Sequence, residues 1–398
     1  MGNVIFHIDV NSAFLSWSAV KILSQDPSAI DIRTVPAIIG GDQSKRHGIV
    51  LAKSVPTKKY GIQTGEPLVS AHEKCPNLLC IPPSYSDYVS FSNQLMDLLM
   101  HYAPVVEQFS IDEAFCDMTG TGRLYGDPVE FAHKLKDEIH QTFGFTVNIG
   151  ISSNKLLAKM ASDFEKPNRV HTLFPEEIAE KMWPLDVGDL FFVGKNTKKK
   201  LNGLGIKTIG DLAQTDPAII QYHLKKFGLT LWEYANGHDM TKVTGRDESN
   251  RSYSNETTVS HDITSPEIAK HVLLSLCETV SARLRVDKVK VRVIGVYITN
   301  NDFEQVRHQF TLPSATNVTQ EIYTHCCRLF TQLWDGSPIR LLGVACSKIT
   351  EDSSMQYNLF DGKKYERLQK LDSAVDKVRN RYGDDSIMRA CFLPPKEH

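Results

Sequence analysis

Two adjacent carboxylates between apolar runs, Asp112 and Glu113 in the pentad Ser110-Ile111-Asp112-Glu113-Ala114, constrain the fold of this chain more than any other feature. Neighbours on a strand point to opposite faces, so the pair cannot address one ligand from a flat strand unless a turn or bulge re-aims one of them. Val105-Val106 before and Ala114-Phe115 after predict a strand-turn-strand tip. An N-terminal strand, Val4 to Ile8, delivers a third acid at Asp9. Three clustered carboxylates repel one another without a counter-charge, and Mg²⁺, a hard cation that takes oxygen ligands, suits them. Taken alone, an exposed turn with solvated acids is the commoner origin of an Asp-Glu pair.

At 398 residues the chain has room for two to four domains. No apolar run is long enough to span a bilayer and Met1-Gly2-Asn3 does not open a signal peptide, so a protein of the cytoplasm with no membrane contact is expected. The net charge of −2 gives no global attraction to nucleic acid. Any such binding must come from local basic surface such as Lys198-Lys199-Lys200 or Lys288-Val289-Lys290-Val291-Arg292. The eight cysteines form no C-x-x-C pair, which fits a reduced interior and argues against a zinc site.

Strands and helices alternate from Val4 to about Leu173, with helices over Tyr88 to His101 and Val129 to Phe143. The β-rich run Thr146 to Ile151 leads through the start signal Ser153-Asn154-Lys155 into a helix, Leu156 to Phe164. This pattern predicts a mixed sheet with helices on one face. Phe174 to Asn236 is almost wholly helical, and Gly245 to Asn255, polar and poor in apolar residues, reads as a linker. A second mixed unit follows: helix Pro266 to Leu284, strand Val289 to Asn300, helix Asn317 to Trp334 and strand Arg340 to Ile349. Beyond it lie a short apolar pentapeptide and an amphipathic tail.

Four motifs then occur in order: Asp9-Val10-Asn11-Ser12-Ala13-Phe14, Ser110-Ile111-Asp112-Glu113-Ala114, Gly150-Ile151-Ser152-Ser153-Asn154-Lys155 and Lys166-Pro167-Asn168. Together they resemble the Y-family translesion DNA polymerases of the bacterial DNA polymerase IV type. The resemblance implies an α+β multidomain right hand. It has a ferredoxin-like palm (1–15 and 75–170), small fingers (16–74), a helical thumb (171–240), a linker (241–255) and an α/β little finger (256–350) before the tail (351–398). It makes Asp9, Asp112 and Glu113 the catalytic acids, which with the Val10 carbonyl hold two Mg²⁺ ions. It makes Phe14 a steric gate against the 2′-hydroxyl and Lys58 and Lys166 triphosphate contacts. By the residues alone, Phe14 reads rather as a core phenylalanine at a helix start and Lys166 as a lone surface lysine.

Two segments depart from the family pattern. In Ser54-Val55-Pro56-Thr57-Lys58, Val55 and Lys58 stand where relatives place a tyrosine and an arginine; lysine keeps the charge but not the planar fork. Phe192-Val193-Gly194-Lys195 to Leu204-Gly205-Ile206 resembles a helix-hairpin-helix with Phe192 at its usual first glycine, which implies phosphate contacts at Gly194, Lys195 and Lys198. A helical hairpin packed only for structure is the alternative. Gln356-Tyr357-Asn358-Leu359-Phe360 resembles the peptide that docks on the bacterial sliding clamp, through Gln356, Leu359 and Phe360. The resemblance thus implies a template-directed, low-fidelity DNA polymerase, monomeric, working on primed template DNA and dNTPs. A non-catalytic clamp-binding repair scaffold is the alternative from another class, and a nucleotide cyclase with a similar palm a remote third.

Overall fold

The computed structural model describes residues 2–41, 48–245, 250–351 and 362–392. These fall into two compact units, the described parts of 2–245 and of 250–392.

The first unit opens with β1 (Ile5–Val10), α1 (Ala13–Gln25), β2 (Ala37–Gly40), β3 (Val50–Lys53), α2 (Leu68–Lys74) and β4 (Leu79–Ile81). There follow α3 (Tyr85–Tyr102), β5 (Val105–Gln108), β6 (Glu113–Asp117), the short α4 (Gly122–Tyr125), α5 (Pro128–Phe143), β7 (Val147–Ser152), α6 (Lys155–Ser162) and β8 (Val170–Thr172). Helices then take over, with α7 (Lys195–Gly203), α8 (Ile209–Gln214) and α9 (Pro217–Ala235). The main sheet runs β5-β6-β1-β7-β8, so β1 lies at its centre, antiparallel to both neighbours.

Alternation along β1 sends Phe6, Ile8 and Val10 into a core with Tyr88, Leu95 and Leu99 of α3 and Phe131, Leu135 and Ile139 of α5. The opposite face is covered as well, since Ile5 and Phe115 pack with Ala158 of α6. Helices on one face alone were expected; the run Leu156-Leu157-Ala158 is apolar because it lies on the sheet. Gly150 makes this close approach feasible: a Cβ there would stand 2.0 Å from the Ala158 carbonyl oxygen and 2.5 Å from the Ser162 nitrogen. A smaller sheet, β3-β2-β4, packs Ile38 and Val50 against Leu68 and Ala71 of α2 on one side, and Ile39 and Ala52 against Leu15 and Ala19 of α1 on the other.

The second unit contains β9 (Ser252–Ile263), α10 (Pro266–Val286), β10 (Lys290–Asn300), β11 (Gln305–Thr316), α11 (Thr319–Leu333), β12 (Ile339–Thr350) and α12 (Gly362–Tyr382). Its antiparallel sheet, β11-β10-β12-β9, buries Val291, Ile294, Val344 and Cys346 against Leu273 and Cys277 of α10 and Ile322 and Leu329 of α11. Arg285 of α10 holds α12 through a two-pronged contact with Asp376, at 2.6 and 2.9 Å, and a weaker one with Asp372. The expected linker is shorter than its sequence suggested, because Ser252 to Asn255 already pair in β9. All eight cysteines are free, and among the described residues no helix is long and apolar enough to cross a membrane.

Candidate active site

The face of the main sheet under α6 carries the polar side chains that a buried sheet rarely tolerates. His7 and Asp9 lie there by alternation with the inward residues of β1, and antiparallel register sets Asp9 directly opposite Glu113. The hairpin from β5 to β6 closes as the sequence predicts, its tip stitched by the N–H groups of Phe109 and Ser110 donating to the Glu113 carbonyl. The adjacency problem is solved by leaving Asp112 off the strand. Its carbonyl accepts from the Val10 N–H at 3.0 Å, and its carboxylate accepts from Ser110 Oγ at 2.6 Å.

Helix α6 lowers Lys159 onto this face, 8% exposed. Its Nζ lies 2.7 Å from Glu113 Oε1, 3.3 Å from Asp9 Oδ2 and 3.4 Å from Asp163 Oδ2. Lys166 adds a second cation, 2.9 Å from Asp9 Oδ2 and 2.7 Å from Asp163 Oδ1. Burial raises the Asp9 carboxyl to about 6, with Lys166 and Lys159 pulling it the other way. Burial also pushes Glu113 up, but Lys159 with His7 behind it outweighs this and holds the carboxyl well below the usual range. His7 itself is lowered to about 4 by burial; its Nδ1 shares a 2.8 Å hydrogen bond with Ser162 Oγ. Burial works against the Lys159 ammonium too, yet Asp9, Asp163 and Glu113 leave it more firmly protonated than usual.

Asp9 and Glu113 therefore meet across a lysine, while Asp112 is turned to its own serine. Among the described residues no three acidic, histidine or cysteine side chains are gathered closely enough to hold a metal as they stand. The donors nevertheless suit a hard cation: all are oxygens, and two carboxylates face each other on adjacent strands with an ammonium neutralising them.

Beside Asp9 opens a cavity of about 170 Å³. It is lined by Asn11 and Ser12, by Lys53, Ser54, Val55 and Lys58, and by Lys166 and Pro167. Ser12, at φ 49°, starts α1, whose first turn has no side-chain cap and no acid, so its positive end favours an anion. The cavity thus gathers Asp9, Lys58 and Lys166 of the sequence-expected set. Phe14 does not line it; its ring stacks on Tyr88 at 4.5 Å and meets Tyr85 edge-on. Gly194 begins α7, also without a side-chain cap; Lys195 is exposed, and Lys198 lies 2.8 Å from Asp186. Phe192 adopts φ 70°, a conformation suited to the glycine it replaces. Gln356, Leu359 and Phe360 lie outside the described residues.

Sequence reasoning missed Lys159, His7 and Lys53. A signal for Lys159 was present: a lone charge inside Leu156-Leu157-Ala158-Lys159-Met160-Ala161, on a helix that follows a buried strand, needs a buried partner.

The amino-terminal region, 8–163, matches the impB/mucB/samB family model, 250–359 matches the model of that family's C-terminal domain, and 175–206 matches the IMS family HHH motif. The chain is 47% identical to DNA polymerase IV of Clostridium acetobutylicum over the full length of both chains. It is 36% identical to DNA polymerase IV 2 of Bacillus subtilis, over 98% of this chain and 94% of that one. Among solved structures it resembles a Y-family DNA polymerase chimera, Dbh-Dpo4(243-245)-Dbh, with a TM-score of 0.75 at 21% identity, covering 88% of this chain and all of the other. With a carboxylate pair built into its central strands and relatives matched end to end, the chain belongs to the impB/mucB/samB family, among the Y-family polymerases of the DNA polymerase IV type.

Proposed function

We propose that the chain is a template-directed, low-fidelity DNA polymerase that adds dNTPs to a primer in translesion synthesis and releases pyrophosphate. The observation that carries this reading is the in-register pair Asp9 and Glu113, with Asp112 on the adjoining turn and Asp9 itself lining a cavity furnished with lysines. Asp9, Asp112 and Glu113, with the Val10 carbonyl, would hold two Mg²⁺ ions. Such ions acidify a primer 3′-hydroxyl and neutralise charge on a triphosphate. In the metal-free chain Lys159 and Lys166 take over the neutralising role and keep the carboxylates on one face. Lys58, Lys166 and the uncapped end of α1 supply positive charge where the phosphates would lie.

Palm (1–15 and 75–170), fingers (16–74), thumb (171–240) and little finger (256–350) are the parts we assign, and the pairing of Ser252 to Asn255 in β9 supports a linker shorter than 241–255. Phe14 acts as the steric gate, braced from behind by Tyr88. Gly194, Lys195 and Lys198 contact DNA phosphate without reading sequence; the exposed Lys198–Asp186 pair costs little to open. The protein works in the cytoplasm as a monomer, tethered to the sliding clamp through Gln356, Leu359 and Phe360. The scaffold alternative gives no reason for the three acids.

Primer extension with Mg²⁺ and single dNTPs tests the reading. Template-matched extension by the parent and none by Asp112→Ala/Glu113→Ala is expected. A parent that binds primed DNA but never extends it would return the scaffold to first place.

A further inference from the structure

We propose that Lys53 is a third cationic seat for the triphosphate of the incoming nucleotide, acting with Lys58 and Lys166. The inference rests on the polymerase reading above and adds a residue to its nucleotide pocket. Lys53 is the last residue of β3, where Val50 and Ala52 are turned into the core and Lys53 is half-buried at the cavity wall. Its Nζ donates to the Ile62 carbonyl, which fixes the ammonium in place and leaves two N–H groups for a ligand.

Neighbouring polar groups on this wall are committed elsewhere. Ser54 Oγ donates to the Val35 carbonyl at 2.7 Å and accepts from the Ala37 N–H at 3.0 Å, Thr57 Oγ1 donates to the Ser54 carbonyl at 2.6 Å, and Val55 has no polar side-chain atom. Side-chain donors from this wall are therefore Lys53 and Lys58. Charge points the same way: three lysines line the cavity against one acid, Asp9, which Lys159 and Lys166 already neutralise. Burial and the nearby Lys58 ammonium pull the Lys53 pKa down, with Glu66 pulling the other way and Lys74 adding a little to the fall. A polyanion lying between Lys53 and Lys58 would relieve their repulsion, and an ammonium on a flexible stem serves a polyphosphate as a point charge.

The test compares the parent, Lys53→Met and Lys53→Arg in steady-state single-nucleotide insertion, and titrates inorganic tripolyphosphate into each free protein by calorimetry at low salt. Lys53→Met keeps the apolar stem and removes the charge. Loss of one charge-assisted contact reads as about a tenfold rise in KM for the matched dNTP at nearly constant kcat, with a similar weakening of tripolyphosphate binding. Lys53→Arg is expected to stay near the parent in both. Unchanged KM and tripolyphosphate affinity in Lys53→Met would overturn the assignment. So would a lower kcat and melting temperature at unchanged KM, the mark of a residue that only ties β3 to Ile62. Should the parent itself fail to extend a primer, the polymerase reading falls, and the titration alone decides: weaker binding in Lys53→Met keeps the anion seat, and equal binding removes it.

Discussion

Lys159 keeps two facing carboxylates on one patch of sheet, and its removal leaves charge uncompensated in a buried place. Lys159→Met is expected to destabilise the metal-free protein by roughly 3–5 kcal/mol in chemical denaturation, with the loss shrinking when a divalent cation is added. His7 gives a pH signature. Its folded pKa of about 4 lies below the ordinary 6.5, so the unfolded chain takes up a proton that the folded chain refuses. The resulting stability is complete above pH 6.5 and is lost as pH falls toward 4, on the order of 3 kcal/mol for such a shift. Replacing His7 by Leu should flatten this part of the stability profile measured by urea melts. Asp9 shifts the opposite way: with its carboxyl raised to about 6, a proton would compete with the cation that the proposed function puts there. Primer extension at limiting Mg²⁺ is therefore expected to fall below pH 6, and more Mg²⁺ to move the fall to lower pH.

Among the elements, the contact between α6 and β7 has least tolerance, because Gly150 lies against the helix backbone itself. Gly150→Ala must lift α6 off the sheet and carry Lys159 with it. A loss of about 3 kcal/mol in thermal or urea unfolding is expected, with extension impaired even where the fold survives. Elements packed on both sides were legible in the sequence. The strand at Val4 to Ile8, the helix at Val129 to Phe143 and the strand at Val289 to Asn300 each appear within a few residues of their expected bounds. Unanticipated were β9 and β11, the two edges of the second sheet. Gln305-Val306-Arg307-His308-Gln309-Phe310 is exposed throughout, so no apolar alternation marks it as a strand. The acid pair was legible for the opposite reason, since charge between apolar runs is rare and needs an explanation. Lys53 was not, because one lysine in an ordinary polar setting carries no mark of the cavity it will face, whereas the apolar run around Lys159 was a mark that went unread.

At the scale of the whole molecule, each unit buries its own core. The second unit closes its sheet with α10 and α11 and draws in α12 through Arg285. Residues 250–398 expressed alone are expected to give a cooperative thermal melt by circular dichroism, and Arg285→Ala in that fragment to lower its midpoint by several degrees. The first unit has a different history written into it. Its central strand leaves the ribosome well before its two partners, β6, begun at Glu113, and β7, begun at Val147. Contacts so distant along the chain form late. A nascent chain halted before residue 147 carries Asp9 and Glu113 but neither β7, the second partner of β1, nor the helix whose Lys159 bridges the two carboxylates, so the site's geometry is completed only by what is made after it.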